Sequence, residues 1–259
     1  MNQPVAIKVE DFEARYGDEV ILQDVSFEVY QGEIFVILGG SGCGKSTLLK
    51  HMIGLYRPYQ GHIWIDDVDL ARADDEALSR LQKRFGVLYQ SGALLGSMTV
   101  AENVGLPLTA FTALPSEVIE TIIRIKLDLV GLAGYEGHLP AELSGGMKKR
   151  AGLARAMALD PHILFFDEPS AGLDPITAAQ LDHLMLQINS SLGTTMVVVT
   201  HELESIFTIA HRVIMLDKNR RTAVAVGDPR WLKDHAEDPF VRDFFNRRAE
   251  PSHGQAAAG

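Results

Sequence analysis

Nine consecutive residues, Gly39-Gly40-Ser41-Gly42-Cys43-Gly44-Lys45-Ser46-Thr47, constrain this chain more than any other stretch. They fit the spacing G-x-x-x-x-G-K-[ST]. The apolar run Ile34 to Leu38 precedes them, as expected for a strand buried on both faces, and a helical pattern from Ser46 to Ile53 follows. Strand, glycine loop and helix together make an anion cradle. Glycines let backbone N–H groups turn inward without Cβ clashes, and the helix N-terminus adds its dipole and unpaired donors. Within it Lys45 can reach the β- and γ-phosphates as a point charge, and Ser46 can ligate Mg²⁺. A plain glycine-rich turn is the competing reading, and the strand–loop–helix setting disfavours it.

A second half of such a site lies downstream. Ile163-Leu164-Phe165-Phe166 predicts a buried strand, and Asp167-Glu168 ends it. Ligands of open α/β sheets bind at the carboxyl ends of strands. Asp167 is therefore a candidate Mg²⁺ holder, and Glu168 is placed to orient and deprotonate an attacking water. An acidic pair at a strand end can also be only a solvated turn; the upstream loop shifts the balance to the catalytic reading.

The remaining pattern is α/β. Ile7 and Val9, then Val25, Phe27 and Val29, alternate with polar residues and predict antiparallel strands. A further strand pair is expected around Ile63-Trp64-Ile65 with a turn at Asp66-Asp67, and a short strand over Phe85 to Tyr89. From Gln90 to Ser144 Pro107, Pro115 and Pro140 separate helical patches, the longest about Ser116 to Val130, which predicts a helical insert. Alternation then resumes with a helix from Gly146 to Leu159 and one opened by Asp174-Pro175, with Leu181, Leu184, Met185 and Ile188 on one face, ending at Gly193. Met196 to Thr200 and Val213 to Leu216 are expected strands, with a helix over Leu203 to Ala210 between them. Strands alternating with helices imply a mostly parallel sheet covered on both faces.

Net charge −10 argues against a nucleic-acid footprint and against a polybasic membrane anchor. The longest apolar runs fall far short of the roughly 20 residues that span a bilayer. The first ten residues carry no apolar signal core, and one cysteine forms no internal disulfide, so a reducing cytosol is the simple expectation. A membrane role would have to run through a partner.

Leu143-Ser144-Gly145-Gly146-Met147 narrows the field. Ser144 can cap the next helix, and the glycines leave its first amides exposed, a second anion site with no nucleotide loop of its own nearby. The segment resembles the LSGG signature of ABC ATPases, and Gly146 stands 21 positions before Asp167. The resemblance covers residues 7 to 225, with the motifs in family order. It implies a P-loop NTPase (RecA-like) core with a mostly parallel sheet, an N-terminal antiparallel β subdomain and an inserted α-helical subdomain. One ABC ATPase domain is expected over 5–245, its core at 5–90 and 160–225 and its helical subdomain at about 91–159. A helical extension over 226–250 and a disordered tail over 251–259 follow.

The resemblance further implies ATP as substrate, Mg²⁺ as cofactor and a homodimer in which Ser144, Gly145 and Gly146 face the γ-phosphate held by the other copy. Tyr16 looks like the aromatic that stacks on adenine, against the plain reading of an edge-strand tyrosine. Gln90 looks like the glutamine that touches Mg²⁺ or the attacking water. Ala171-Gly172-Leu173-Asp174 looks like the loop that contacts the partner copy, Asp174 doubling as a helix cap. His201 looks like the histidine that hydrogen-bonds the γ-phosphate; a zinc motif is excluded because Ser205 stands where its second histidine would fall. Catalytic roles thus fall on Glu168, His201, Gln90 and Lys45, and Mg²⁺ ligation on Ser46, Gln90 and Asp167.

Gln90-Ser91-Gly92-Ala93-Leu94-Leu95, Leu143 to Arg150 and Asp174-Pro175-Ile176-Thr177 resemble ATPases that serve MCE-protein lipid transporters of the Mla type. Those act with an integral membrane permease and MCE proteins, often with a small STAS-domain protein, on the cytoplasmic side of the bacterial inner membrane, and carry phospholipid between the two membranes. A cassette for another cargo remains open, because the ATPase does not touch cargo. So does an iron–sulfur assembly scaffold, also a lone cassette. Chromosome and repair ATPases are disfavoured, since the Gln90–Ser144 interval of 54 positions holds no sustained heptads.

Overall fold

The computed structural model describes residues 3–247. The tail expected at 251–259 lies outside the described residues, as does the end of the 226–250 extension. Strands β1 (Val5–Tyr16), β2 (Glu19–Tyr30), β4 (Gln60–Ile65) and β5 (Val68–Asp69) form an antiparallel sheet in the order β2-β1-β4-β5. Strands β3 (Ile34–Gly39), β6 (Phe85–Leu88), β7 (Ile163–Asp167), β8 (Thr195–Val199), β9 (Arg212–Asp217) and β10 (Thr222–Gly227) form the second sheet, ordered β10-β9-β3-β8-β7-β6. Every pairing there is parallel except β10 on β9. This is the expected mixed α/β architecture, and its solved relatives are given below.

The helices are α1 (Lys45–Met52), α2 (Asp75–Gln82), α3 (Val100–Phe111), α4 (Ser116–Leu129), α5 (Gly145–Ala156), α6 (Pro175–Leu192), α7 (Leu203–Ile209), α8 (Pro229–His235) and α9 (Pro239–Phe245). None of them is long and apolar enough to cross a membrane.

The continuous apolar runs follow from having two buried faces. Phe35, Ile37, Ile163, Phe165, Val197, Val199, Ile214 and Leu216 pack toward α1 and the antiparallel sheet. The alternating residues Ile34, Val36, Leu38, Leu164, Phe166, Met196, Val198, Val213 and Met215 pack toward α5, α6 and α7. Each face takes every second residue, so no position is free to be polar. The parallel strands also share a direction. The residues after β3, β6, β7 and β8 therefore emerge along one edge, and that edge carries the site.

The helical layer corrects two expectations. Pro107 does not separate helices; it lies inside α3. The helix survives because Thr99 and Glu102 form a reciprocal capping box, and because Val100, Val104 and Leu108, spaced four apart, are all buried. Packing outweighs the one hydrogen bond that proline removes. The helix expected to reach Leu159 ends at Ala156, where Met157 closes it with bonds to the Arg155 and Leu153 carbonyls. Fully buried Asn103 ties the segment after Gln90 to α3, accepting from Leu95 N–H at 2.8 Å and lying within reach of the carbonyls of Leu95, Met98 and Thr99.

Candidate nucleotide site

The loop after β3 is shaped for glycine. Gly44 precedes α1 with φ +101, and a Cβ there would come within 2.8 Å of Leu22. Gly39 is similarly hemmed in, since a Cβ would fall 2.5 Å from the Leu216 carbonyl. Gly40 faces open space, on the side where a ligand can approach. Lys45 lies across the mouth, its ammonium donating to the carbonyls of Gly39 at 3.0 Å and Gly40 at 3.3 Å. Ser41, Gly42 and Ser46 are exposed, and Thr47 is half-buried. Cys43 is buried among the core residues, which pushes its thiol pKa up, so it can offer a ligand only its backbone. This loop fits a polyphosphate: its donors are backbone groups and its cation is at the open face.

Asp167 closes β7, and Glu168 follows with φ +47, a left-handed backbone rare for glutamate. That conformation is held by Glu168 N–H donating to Val199 O at 2.9 Å and by Ala171 N–H donating back to the Glu168 carbonyl at 3.2 Å. His201 Nδ1 stands 3.0 Å from both carboxylate oxygens of Glu168. The structure thus sets His201 against the acidic residue rather than apart from it. Burial, and then the neighbouring Glu168 charge, push the Asp167 carboxyl above the usual carboxylate range, with Lys50, Lys149 and Lys45 opposing. Asp167 and Gln90 line one open cleft of about 510 Å³ with Tyr89, Ser91, Ala171 and Gly172.

Among the described residues no group of three or more His, Cys, Asp or Glu could cage a metal. Mg²⁺ bound with a nucleotide takes only one or two protein oxygens, with phosphate and water as its other ligands. Ser46 and Asp167 supply hard oxygen donors of that kind.

Ser144 caps α5, its Oγ accepting from Met147 N–H at 3.3 Å; Ser144 and Gly145 are exposed while Gly146 is buried. Gly145 and Gly146 lie against Leu173 and Thr177, so the signature turn leans on the loop expected to meet a partner. Asp174 is fully engaged as the cap of α6, accepting from Ile176 and Thr177 N–H at 3.1 and 3.0 Å, and the Thr177 hydroxyl, together with these bonds, holds its pKa below the usual range. Tyr16 ends β1 at 49% exposure, edge-on to Tyr56 at 6.4 Å, in the hairpin whose Leu22 abuts Gly44.

Sequence reasoning missed two residues of α5. Lys149 is buried and donates to the Gln90 and Glu168 carbonyls. Arg155 donates to the carbonyls of Ala93 at 2.8 Å and Gly92 at 3.1 Å. Their spacing to each other on one helix was visible; the loops they would reach were not.

Comparison with known proteins bears on this geometry. The family model described as ABC transporter matches residues 22–171. The probable ribonucleotide transport ATP-binding protein mkl of Mycobacterium leprae is 42% identical over 248 residues, 96% of this chain and 71% of that protein. The intermembrane phospholipid transport system ATP-binding protein MlaF of Escherichia coli is 40% identical over 253 residues, 96% of this chain and 93% of that one. A dimeric post-hydrolysis structure of the ATP-binding cassette MJ0796 bound to ADP and Pi superposes with TM-score 0.77 at 30% identity, covering 86% of this chain and 98% of that one.

Proposed function

We propose, from the premise that this chain belongs to the ABC transporter family, that it powers phospholipid movement between bacterial membranes as one half of a pair of cassettes sharing two ATP sites. The chain is an ABC transporter ATPase subunit, an enzyme hydrolysing ATP to drive transport, and cassettes of this kind dimerise and pair with membrane permeases. The observation that carries the two-site reading is a second exposed helix start: Lys45, Gln90, Asp167, Glu168 and His201 lie at or after the carboxyl ends of β3, β6, β7 and β8, while the exposed Ser144 turn opens α5 with no phosphate loop before it.

In this reading Gly39 to Thr47 and Lys45 hold the phosphates, Tyr16 stacks on adenine, and Ser144 to Gly146 of the partner close the cage over the γ-phosphate. Ser46, Asp167 and Gln90 would hold Mg²⁺, which would supply neutralisation of the phosphate charge. Glu168 takes the proton from the attacking water as it adds to the γ-phosphorus and the bond to the β-phosphate oxygen breaks. His201 hydrogen-bonds the γ-phosphate and, when it leaves Glu168, frees that carboxylate for water. Neither copy alone surrounds the charge-spread transition state, so ATP glues the pair and hydrolysis releases it. Asp174, in the loop beside the signature turn, meets the partner copy.

The name of MlaF, with 93% of its length covered, supports a phospholipid cargo; an integral permease, an MCE protein and a small STAS-domain partner on the cytoplasmic side of the inner membrane complete the proposal. The name of the mycobacterial relative favours a second reading, a ribonucleotide cargo. Co-purification separates these: an MCE protein together with a permease supports the first, and a permease without one supports the second. Glu168→Gln tests the chemistry. It should bind ATP, trap the dimer and lose about 10²–10⁴ in turnover; hydrolysis at the normal rate would falsify the general-base role.

A further inference from the structure

We propose that Lys149 is a positioning residue: by holding the Gln90 and Glu168 carbonyls to α5, it lets engagement of the Ser144 turn by a partner's nucleotide set the geometry of the general base in the same chain. This rests on the paired-site reading above and adds a route between the two halves of one polypeptide.

Lys149 is only 5% exposed. A buried ammonium is costly unless it is paired and hydrogen-bonded, and this one spends its donors on two backbone carbonyls. One is that of Gln90, after β6; the other is that of Glu168, after β7, at 3.3 Å. The first contact is the closer. Its surroundings are acidic: Asp167, Glu168 and Glu202 favour the charged form against a burial that lowers its pKa.

The carbonyl of Glu168 belongs to a strained peptide. Its φ of +47 is a left-handed conformation that persists in glutamate only when neighbours impose it. Lys149 and Ala171 N–H are the donors that hold that carbonyl. The same helix repeats the device six positions on. Ala93 is left-handed at φ +49, and Arg155 donates to its carbonyl. Between the two cations, Gly152 lets the Gly92 backbone come so near that a Cβ would fall 2.8 Å from the Gly92 carbonyl. Helix α5 therefore grips both loops at the nucleotide edge, and its first turn is the surface that a partner's phosphate would meet. A shift of that turn carries Lys149 with it, because a 12-residue helix moves as a rod.

The test uses the full chain and compares Lys149→Met with Lys149→Arg. Turnover is followed against ATP concentration, and ATP affinity and melting temperature are measured separately. For Lys149→Met the expectation is a kcat lower by about 10- to 100-fold, the loss expected when hydrogen bonds to a charged group disappear. ATP affinity should stay within about twofold and the Hill coefficient should fall toward one. Lys149→Arg, which keeps the charge and donors, should recover most of kcat. A Met variant with normal kcat and cooperativity overturns the proposal. So does loss of affinity, turnover and melting temperature together with no rescue by arginine, which would make Lys149 a packing residue. If Lys149→Met does not fold, Lys149→Gln replaces it with the same readouts, and failure of both to fold also assigns Lys149 to packing. The wild type separates the layers. Absence of cooperativity there removes the paired-site reading and this inference with it, whereas a cooperative wild type beside an undisturbed Met variant removes only Lys149.

Discussion

Replacing Asn103 by alanine should unfasten the segment that leads from Gln90 into the helical layer. The side chain is wholly buried. Its Oδ1 accepts from Leu95 N–H at 2.8 Å, and its Nδ2 lies 3.1 Å from the Leu95 and Met98 carbonyls and 3.0 Å from that of Thr99. An amide nitrogen carries two hydrogens, so two of the three carbonyls are served at once and the side chain makes three full bonds. At about 0.5–1.5 kcal/mol net for each, the sum is roughly 1.5–4.5 kcal/mol. Leu95 is 45% exposed, so water can satisfy part of what is freed; that places the expected loss at about 2–3 kcal/mol. Urea unfolding should show a lower midpoint at unchanged slope, and amide exchange should speed up at Leu95 while ATP affinity holds.

Asn103→Asp sharpens the test, because it keeps the shape and removes only donors. Carbonyl oxygens facing a buried carboxylate disfavour its charged form, so its folded pKa lies above the unfolded one. The folded state then binds the extra proton, and the deficit is small near pH 4 and grows as pH rises through the folded value. An alanine variant within about 0.5 kcal/mol of wild type, or an aspartate variant equally stable at both ends of that range, would refute the assignment of these bonds.

Other outcomes follow from the same geometry. Lys45→Ala should leave folding nearly intact, since its ammonium bonds only loop carbonyls, and should weaken ATP binding by about 10- to 100-fold; unchanged affinity in a titration would count against the cradle. Ser144→Arg loses a helix cap worth about 0.5–2 kcal/mol and should abolish hydrolysis while single chains still bind ATP. Mixing it with Glu168→Gln should restore activity from one intact site, and no recovery would argue against shared sites. Burial of His51 beside Phe12 lowers its pKa below the usual 6.5, so the unfolded chain takes up the proton first. Stability should therefore be complete above that value and decline as pH falls below it toward the lower folded one. With His51→Asn the acid limb of a melting-temperature profile should flatten; an unaltered limb would place the titration elsewhere.

The parts of the fold that were legible in sequence are those with a single physical solution. An all-apolar run such as Ile34 to Leu38 needs two covered faces, and the glycines after it need a backbone no other residue adopts as cheaply. Gly193 ending α6 in a left-handed conformation, and Asp174 capping its start, were equally readable. What stayed hidden depended on distant partners. β10 is only half-buried along its length and exists because β9 offers it an antiparallel edge. α2 begins from an Asp74 cap but buries only Leu81, so its periodicity is faint. Pro107 looked like a helix breaker until the stripe beneath it was seen to be buried. Lys149 carried no role of its own within Leu143 to Arg150, since nothing local says that Gln90 and Glu168 lie within its reach.

At the nucleotide edge a bound polyphosphate would meet the acidic pair Asp167 and Glu168. Burial first, and then the Glu168 charge, raise the proton affinity of half-buried Asp167, with Lys50, Lys149 and Lys45 opposing. Adding a polyphosphate to such a surface brings more negative charge, and Lys45 would turn from its loop carbonyls toward the phosphates. Asp167 would then face phosphate oxygens with less compensation. Two remedies exist: a proton on Asp167 or a divalent cation between carboxylate and phosphate. The proton would leave the phosphates unneutralised, whereas a hard cation with oxygen ligands serves both partners at once. The same acidic residues act on Lys149 in the opposite sense: burial lowers its pKa, and Asp167, Glu168 and Glu202 favour its charged form.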